Sequence, residues 1–287
     1  DIANSIWLRD NESLVSIDND FLTKNASYYN AEIYKSPFDE NTLKAINKWV
    51  DLKTDGMIDS IIDRINEDSI MYLINAIAFD AEWKKPYNKE DIFQGEFSLA
   101  DGTKMDSDFM RSTEGLYLDD GNATGFIKPY YNDKYSFVAL LPNEDVALDD
   151  YINNLTGEGL IDTIANAEKV QVNATTPKFS YEYKTILNNV LADMGMPDAF
   201  SPAAANFQRM GKSSVADIYI GEVLHKTFIS LDELGTKAGA VTSVEMKVTS
   251  APLEIRTVTL DRPFVYAIID NSSNLPIFIG TVMNLDN

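Results

Sequence analysis

Between two strand-like runs, GEVLHKTFISLDE (221–233) and LEIRTVTLDRPFVYAIID (253–270), lies the stretch LGTKAGAVTSVEMKVTSAP, residues 234–252. It constrains the fold more than any other part of the chain. Structureless connections longer than about 12–15 residues are usually functional or disordered, and this one is not built like a linker. Thr236, Ala238, Ala240, Thr242, Val244, Met246 and Val248 share one parity and carry no charge. Lys237, Gly239, Val241, Ser243, Glu245, Lys247 and Thr249 share the other, with every charge among them. Period 2 is the signature of a half-buried strand. A connector is written as a strand.

The rest of the chain supplies a fold to hold it. ANSIWLRD and YNAEIYKSPF read as strands, the second stopped by Pro37, and VSIDNDFLTKNAS as a short helix with Asp residues at its start. Leu43, Ile46, Trp49 and Val50 lie at helical spacing, with Gly56 as a stop. DSIMYLINAIAFDAEW is nearly continuous apolar sequence and predicts a strand buried on both faces. Residues 93–142 alternate short strands with turn signals. ALDDYINNLTGEGLIDTIANAE predicts one or two helices, KVQVNATTPKFSYEYK a strand, and TILNNVLADMGM a helix ended by Gly195 and Pro197. The last third is strand after strand. Strands and helices interleave without a βαβ rhythm, and no repeat or Pro/Gly/Ser-rich linker divides them. We therefore expect one α+β domain on antiparallel sheets.

Composition removes several functions. With no cysteine among 287 residues, disulfides, thiol catalysis and thiolate metal sites are excluded. A formal charge of −21, spread in short acidic clusters, argues against nucleic-acid or anionic-lipid partners. There is no apolar run of membrane-spanning length and no basic-then-apolar leader at the start given. The only histidine, His225, lies inside the apolar strand EVLHKTFISL, where a core role outweighs a catalytic one. MGKSS (210–214) lacks the phosphate-loop glycine, since position 206 is Asn206, and DDGNATG is too short for a calcium loop. No cofactor, metal or enzymatic site is expected.

Three longer motifs are specific. NAIAFDAEWKKPY (75–87) resembles the serpin strand that usually reads N-x-x-F-x-G-x-W-x-x-x-F, with Asp80 and Tyr87 as departures. HKTFISLDELGTKAGAVTSV (225–244) is similar to that family's strand and hinge, with Lys237 where glutamate is common. DRPFVYAIIDNSSNLPIFIGTVMNL (261–285) resembles its C-terminal signature. The matches occur in family order along the whole chain.

The resemblance implies a serpin-like α+β fold over residues 1–287. Its parts would be a large mixed or antiparallel sheet, C-terminal barrel-like sheets, surrounding helices and an exposed reactive-centre loop at about 234–252. Family members place several helices and a strand before the segment matching ANSIWLRD, so the domain is expected to be N-terminally incomplete. The implied function is suicide inhibition of a serine protease. The loop is cut, the acyl-enzyme forms, and the loop inserts as a new strand while the protease stays attached. The resemblance places the scissile bond at Thr249–Ser250, which suits an elastase-like or subtilisin-like protease; Lys247 is the runner-up and suits a trypsin-like one. It assigns the hinge to Glu233, Gly235, Thr236, Ala238, Ala240 and Thr242, with Thr236 near solvent until the loop is cut. It matches Asn75 and His225 to a hydrogen-bonded pair where the sheet opens, and Lys178 and Glu233 to a salt bridge beside Trp83. The protein is expected to be a monomer, and a bacterial secreted or surface-anchored one. The rival is a non-inhibitory serpin-fold binding protein or chaperone, though such members tend to carry bulky or charged residues on the inserting face. A hydrolase would have His225 as its only imidazole.

Overall fold

The computed structural model describes residues 2–11, 13–66, 69–77, 79–214, 217–236 and 254–285. The segment 237–253 lies outside them, and with it Ala238, Ala240, Thr242, Lys247, Thr249 and Ser250. The chain forms two compact units, residues 1–79 with 182–228, and residues 80–181 with 229–287. Two strands, Phe179–Ile186 and Leu224–Leu231, each run from one unit into the other.

In the first unit the strand Ile2–Arg9 pairs parallel with Ala31–Ser36 and antiparallel with Met71–Ile77. Leu224–Leu231 runs parallel to Met71–Ile77, with Thr227 opposite Ile77 as their described pair. The helix Glu40–Lys53 starts at a capping box, where the Asp39 carboxylate accepts from the Asn41 and Thr42 amides. Its Ile46, Trp49 and Val50 lie one turn apart and bury against Trp7, Ile74 and Ala76. The opposite face of the sheet is covered around Ile6, Leu8 and Ala31, where Phe21 and Leu22 of the helix Asn19–Tyr29 pack.

Three expectations change here. Met71–Ile77 is not buried on both faces: Ile74 and Ala76 are buried, but Leu73 is 52% exposed, because described packing on its side gathers around Ile6, Leu8 and Ala31. Val15–Ile17 is a strand, paired with Gly211–Ser213, and the helix begins only after Asp18, whose side chain accepts from the Asp20 amide. The run 171–186 is two strands, Gln171–Pro177 and Phe179–Ile186. Pro177 has no amide to continue a ladder, and the Lys178 amide turns to the Asp108 carbonyl, 2.8 Å away. The second strand keeps Thr185 and Ile186, so the following helix covers only Asn188–Asp193.

The second unit holds a five-stranded antiparallel sheet ordered Leu275–Val282, Phe264–Asp270, Tyr135–Pro142, Ala123–Pro129 and Tyr117–Asp119. The helices Leu148–Asn154 and Gly157–Ala165 bury Tyr151, Leu160 and Ile164 against its Val138, Leu140, Val265, Ala267 and Ile269. A four-stranded sheet is ordered Ile255–Thr259, Gln171–Pro177, Lys104–Glu114 and Ile92–Ser98. The long connector therefore leaves the end of Leu224–Leu231 and returns as Ile255–Thr259. No helix among the described residues is long and apolar enough to cross a membrane.

Candidate functional site: the hinge at Glu233–Thr236

The segment expected to be the hinge is a built corner of the second unit. At the end of Leu224–Leu231 the chain turns back through Asp232–Gly235. The Asp232 carboxylate accepts from the Leu234 and Gly235 amides at 2.8 and 3.1 Å. Its own amide donates to the Gly235 carbonyl at 3.0 Å. Aspartate favours such turns because its short side chain reaches the amide two residues on.

After the turn Gly235 and Thr236 enter a sheet. Thr236 is opposite Leu231 on one side and Ala81 on the other, and Gly235 is opposite Glu82. Glycine is required there by close approach, since a Cβ on Gly235 would lie 2.2 Å from the Ala81 carbonyl oxygen and 2.8 Å from the Glu82 Cα. The segment after Ala81–Glu82 grips the turn. The Trp83 amide donates to the Leu234 carbonyl at 2.9 Å and the Tyr87 amide to the Glu233 carbonyl at 3.0 Å. The Trp83 indole donates to the Asp232 carbonyl at 2.9 Å.

Lys178 and Glu233 form an ion pair at 2.6 Å. The hydrogen bond from Lys178 holds the Glu233 carboxyl below its ordinary range, with partial burial opposing. Trp83 stacks on Tyr130 at 4.4 Å between ring centroids. The Tyr130 hydroxyl lies 2.7 Å from the Thr236 hydroxyl, and burial raises its pKa strongly. The Lys128 ammonium lies 4.3 Å from the Tyr87 ring centre and 5.3 Å from that of Trp83. Lys128 is itself buried and bonds Glu114 at 2.8 Å.

Two expectations need correcting. Thr236 is not near solvent in the uncut chain: it is 1% exposed, because pairing on both edges and the Tyr130 hydroxyl enclose it. Asn75 and His225 are not a described hydrogen-bonded pair. The Asn75 side-chain Nδ2 donates instead to the Asn4 Oδ1 at 2.8 Å across the paired strands. Desolvation alone lowers the His225 pKa, so its neutral form is favoured. Sequence reasoning missed Asp232, Tyr130 and Lys128. An aspartate three residues before a glycine was a legible turn signal; nothing local marks Tyr130 or Lys128.

The corner opens a long connector whose first two paired residues, Gly235 and Thr236, already sit in a sheet. The family model described as Serpin (serine protease inhibitor) matches residues 1–285, and the chain belongs to that family. It is 31% identical over 263 residues to human Serpin B13, covering 88% of this chain and 66% of that protein. It is 28% identical over 268 residues to the alpha-1-antitrypsin homolog of Cyprinus carpio, covering 92% and 70%. Among solved structures it matches the thermophilic serpin tengpin in the native state, with a TM-score of 0.92 and 51% identity over 99% of this chain and 73% of that one. Relatives come from fish, human and the archaeon Thermococcus kodakarensis, so the likeness is not confined to the bacterial proteins expected above.

Proposed function

We propose that this serpin is a suicide substrate of serine proteases, with residues 234–252 as bait. The observation that supports it is the seating of Gly235 and Thr236 between Leu231 and Ala81–Glu82. The uncharged set Ala238, Ala240, Thr242, Val244 and Met246 continues the same parity. Small uncharged side chains can follow Thr236 between strands, whereas an unpaired charge would cost several kcal/mol. Tengpin is described in both a native and a latent state, which favours a chain of this make having more than one stable arrangement.

The protease serine attacks the Thr249 carbonyl and releases the Ser250 amine, leaving an ester between protease and loop. Extension of residues 235–249 into the sheet, at about 3.3 Å per residue, carries the attached protease roughly 50 Å. An oxyanion hole displaced by ~1 Å loses much of its power, so the ester persists. Val248 and Thr249 select an elastase-like or subtilisin-like enzyme. An SDS-resistant adduct with elastase, releasing a C-terminal peptide that begins at Ser250, is the expected result. A peptide beginning at Val248 moves the cut to Lys247 and the target to a trypsin-like enzyme. Clean turnover without adduct leaves the non-inhibitory reading.

A further inference from the structure

The first inserting side chain is already inside the sheet. Thr236 is 1% exposed, is paired on both edges, and shares a 2.7 Å hydrogen bond with Tyr130. Tyr130 is in turn fixed from behind. Its ring is 0% exposed and stacked on Trp83 at an interplanar angle of 11°. The Trp83 indole is tied to the Asp232 carbonyl, at the start of the same turn. One aromatic pair therefore holds both ends of the Asp232–Thr236 corner.

We propose that Tyr130 is a positioning residue that seats Thr236 in the sheet before the loop is cut, so that insertion extends a strand already begun. The seat stands on the uncut chain alone; only its consequence for trapping rests on the inhibitory reading. Starting a strand orders residues before any ladder bond repays them, whereas extending one does not. Removing one hydroxyl of the buried Tyr130–Thr236 pair costs the bond between them, while removing both with shape kept is closer to neutral. The seat therefore has a double-variant signature that a purely space-filling tyrosine would not give.

The test is amide exchange over residues 231–236 in the uncut full chain. Tyr130→Phe and Thr236→Val should each speed exchange about tenfold. The double variant Y130F/T236V should return to within about threefold of the parent. With elastase, each single variant should consume more inhibitor per protease trapped, and the double should recover. Unchanged exchange in both single variants, or a double faster than either, overturns the seat. Should Y130F fail to fold, unchanged exchange in T236V overturns it alone. The expected exchange pattern with no adduct in any variant supports the seat and overturns the inhibitory reading instead.

Discussion

Among the described residues each compact unit buries one lysine side chain, Lys128 and Lys226, and the two differ in where the countercharge stands. In the second unit Lys128 is 2% exposed and its partner Glu114 only 7%, at 2.8 Å. In the first unit Lys226 is 7% exposed, but its partners are not buried: Glu182, at 2.9 Å, is 47% exposed, and Asp59, at 3.5 Å, is 82% exposed. The first pair is a closed interior bond, lodged against the Tyr87 and Trp83 rings beside the hinge. The second is a buried stem whose head reaches carboxylates that water can replace. The corner that seats Thr236 is built to stay fixed. The strand Leu224–Leu231, where it carries Lys226, is held to its surroundings by contacts that water can exchange.

The largest expected effect breaks that comparison directly. Lys128→Met strands the Glu114 carboxylate in the interior and should cost about 3–5 kcal/mol in denaturant unfolding. Removing both charges, as K128M/E114L, should recover most of it, because an apolar pair of similar volume needs no desolvation. Lys226→Met leaves its partners in water and should cost only about 1–2 kcal/mol. Added salt should weaken the parent's Lys226 contacts and leave the Lys128 pair nearly untouched. Equal costs for the two methionines would mean that exposure of the countercharge does not set the strength of these pairs.

Next in size come substitutions at the seat. Thr236→Arg places a guanidinium in a site closed on both edges and should destabilise the seated arrangement by about 2–4 kcal/mol. Gly235→Ala forces a Cβ onto the Ala81 carbonyl oxygen, and overpacking of that kind costs about 1–3 kcal/mol. Gly221→Ala, in the first unit, meets nothing within 4 Å and should stay within about 0.5 kcal/mol. Urea midpoints of the three variants decide; a neutral G235A would show the corner to be loose.

Acid should act more gently, and with the same sign in both units. In the first unit, hydrogen bonds from Lys53, then Tyr34 and Trp49, hold the Glu32 carboxyl down to about 2 from an ordinary 4.5. A depressed carboxyl adds stability that is complete above 4.5 and drains away as pH falls toward 2. Its side chain is 41% exposed, so screening limits the effect to about 1 kcal/mol or less. In the second unit Glu233 shifts in the same direction through Lys178, so the sign is shared. Melting temperatures between pH 5 and 2.5 should fall less steeply in Glu32→Gln than in the parent. An unchanged slope would place the acid sensitivity elsewhere.

What was legible in the sequence followed from local periodicity. The helix Glu40–Lys53 showed in Leu43, Ile46, Trp49 and Val50, whereas the pairing of Gly235 and Thr236 in the uncut chain did not, since parity marked the segment only as a strand to come. Periodicity failed where a short run could serve either element, as at Val15–Ile17, whose partner Gly211–Ser213 lies far along the chain. It also failed for pairs that depend on register. Tyr130 and Thr236 are 106 residues apart, and no spacing rule joins them. The Lys178–Glu233 contact was reached through family resemblance, because neither residue is marked by its neighbours. The burial of Thr236 was hidden for the same reason: its enclosure comes from Ala81, Leu231 and Tyr130, on three separate segments.

The smallest expected effect lies one residue beyond the seat. Successive side chains of a strand point to opposite faces, so if the chain continues the strand that Gly235 and Thr236 begin, the expected place of Lys237 is the face opposite Thr236. Lys237→Glu takes the formal charge from −21 to −23, two more units on a surface already acidic. On that expectation the charge swap should change stability by about 0.5 kcal/mol or less. On the proposed cut at Thr249 it should leave the rate of adduct formation with elastase unchanged, since Lys237 lies far upstream of that bond. Unfolding midpoints and adduct rates for K237E and T236R, measured side by side, put the alternation to its finest test. Comparable losses at both positions would show that the loop does not continue the strand that Gly235 and Thr236 begin.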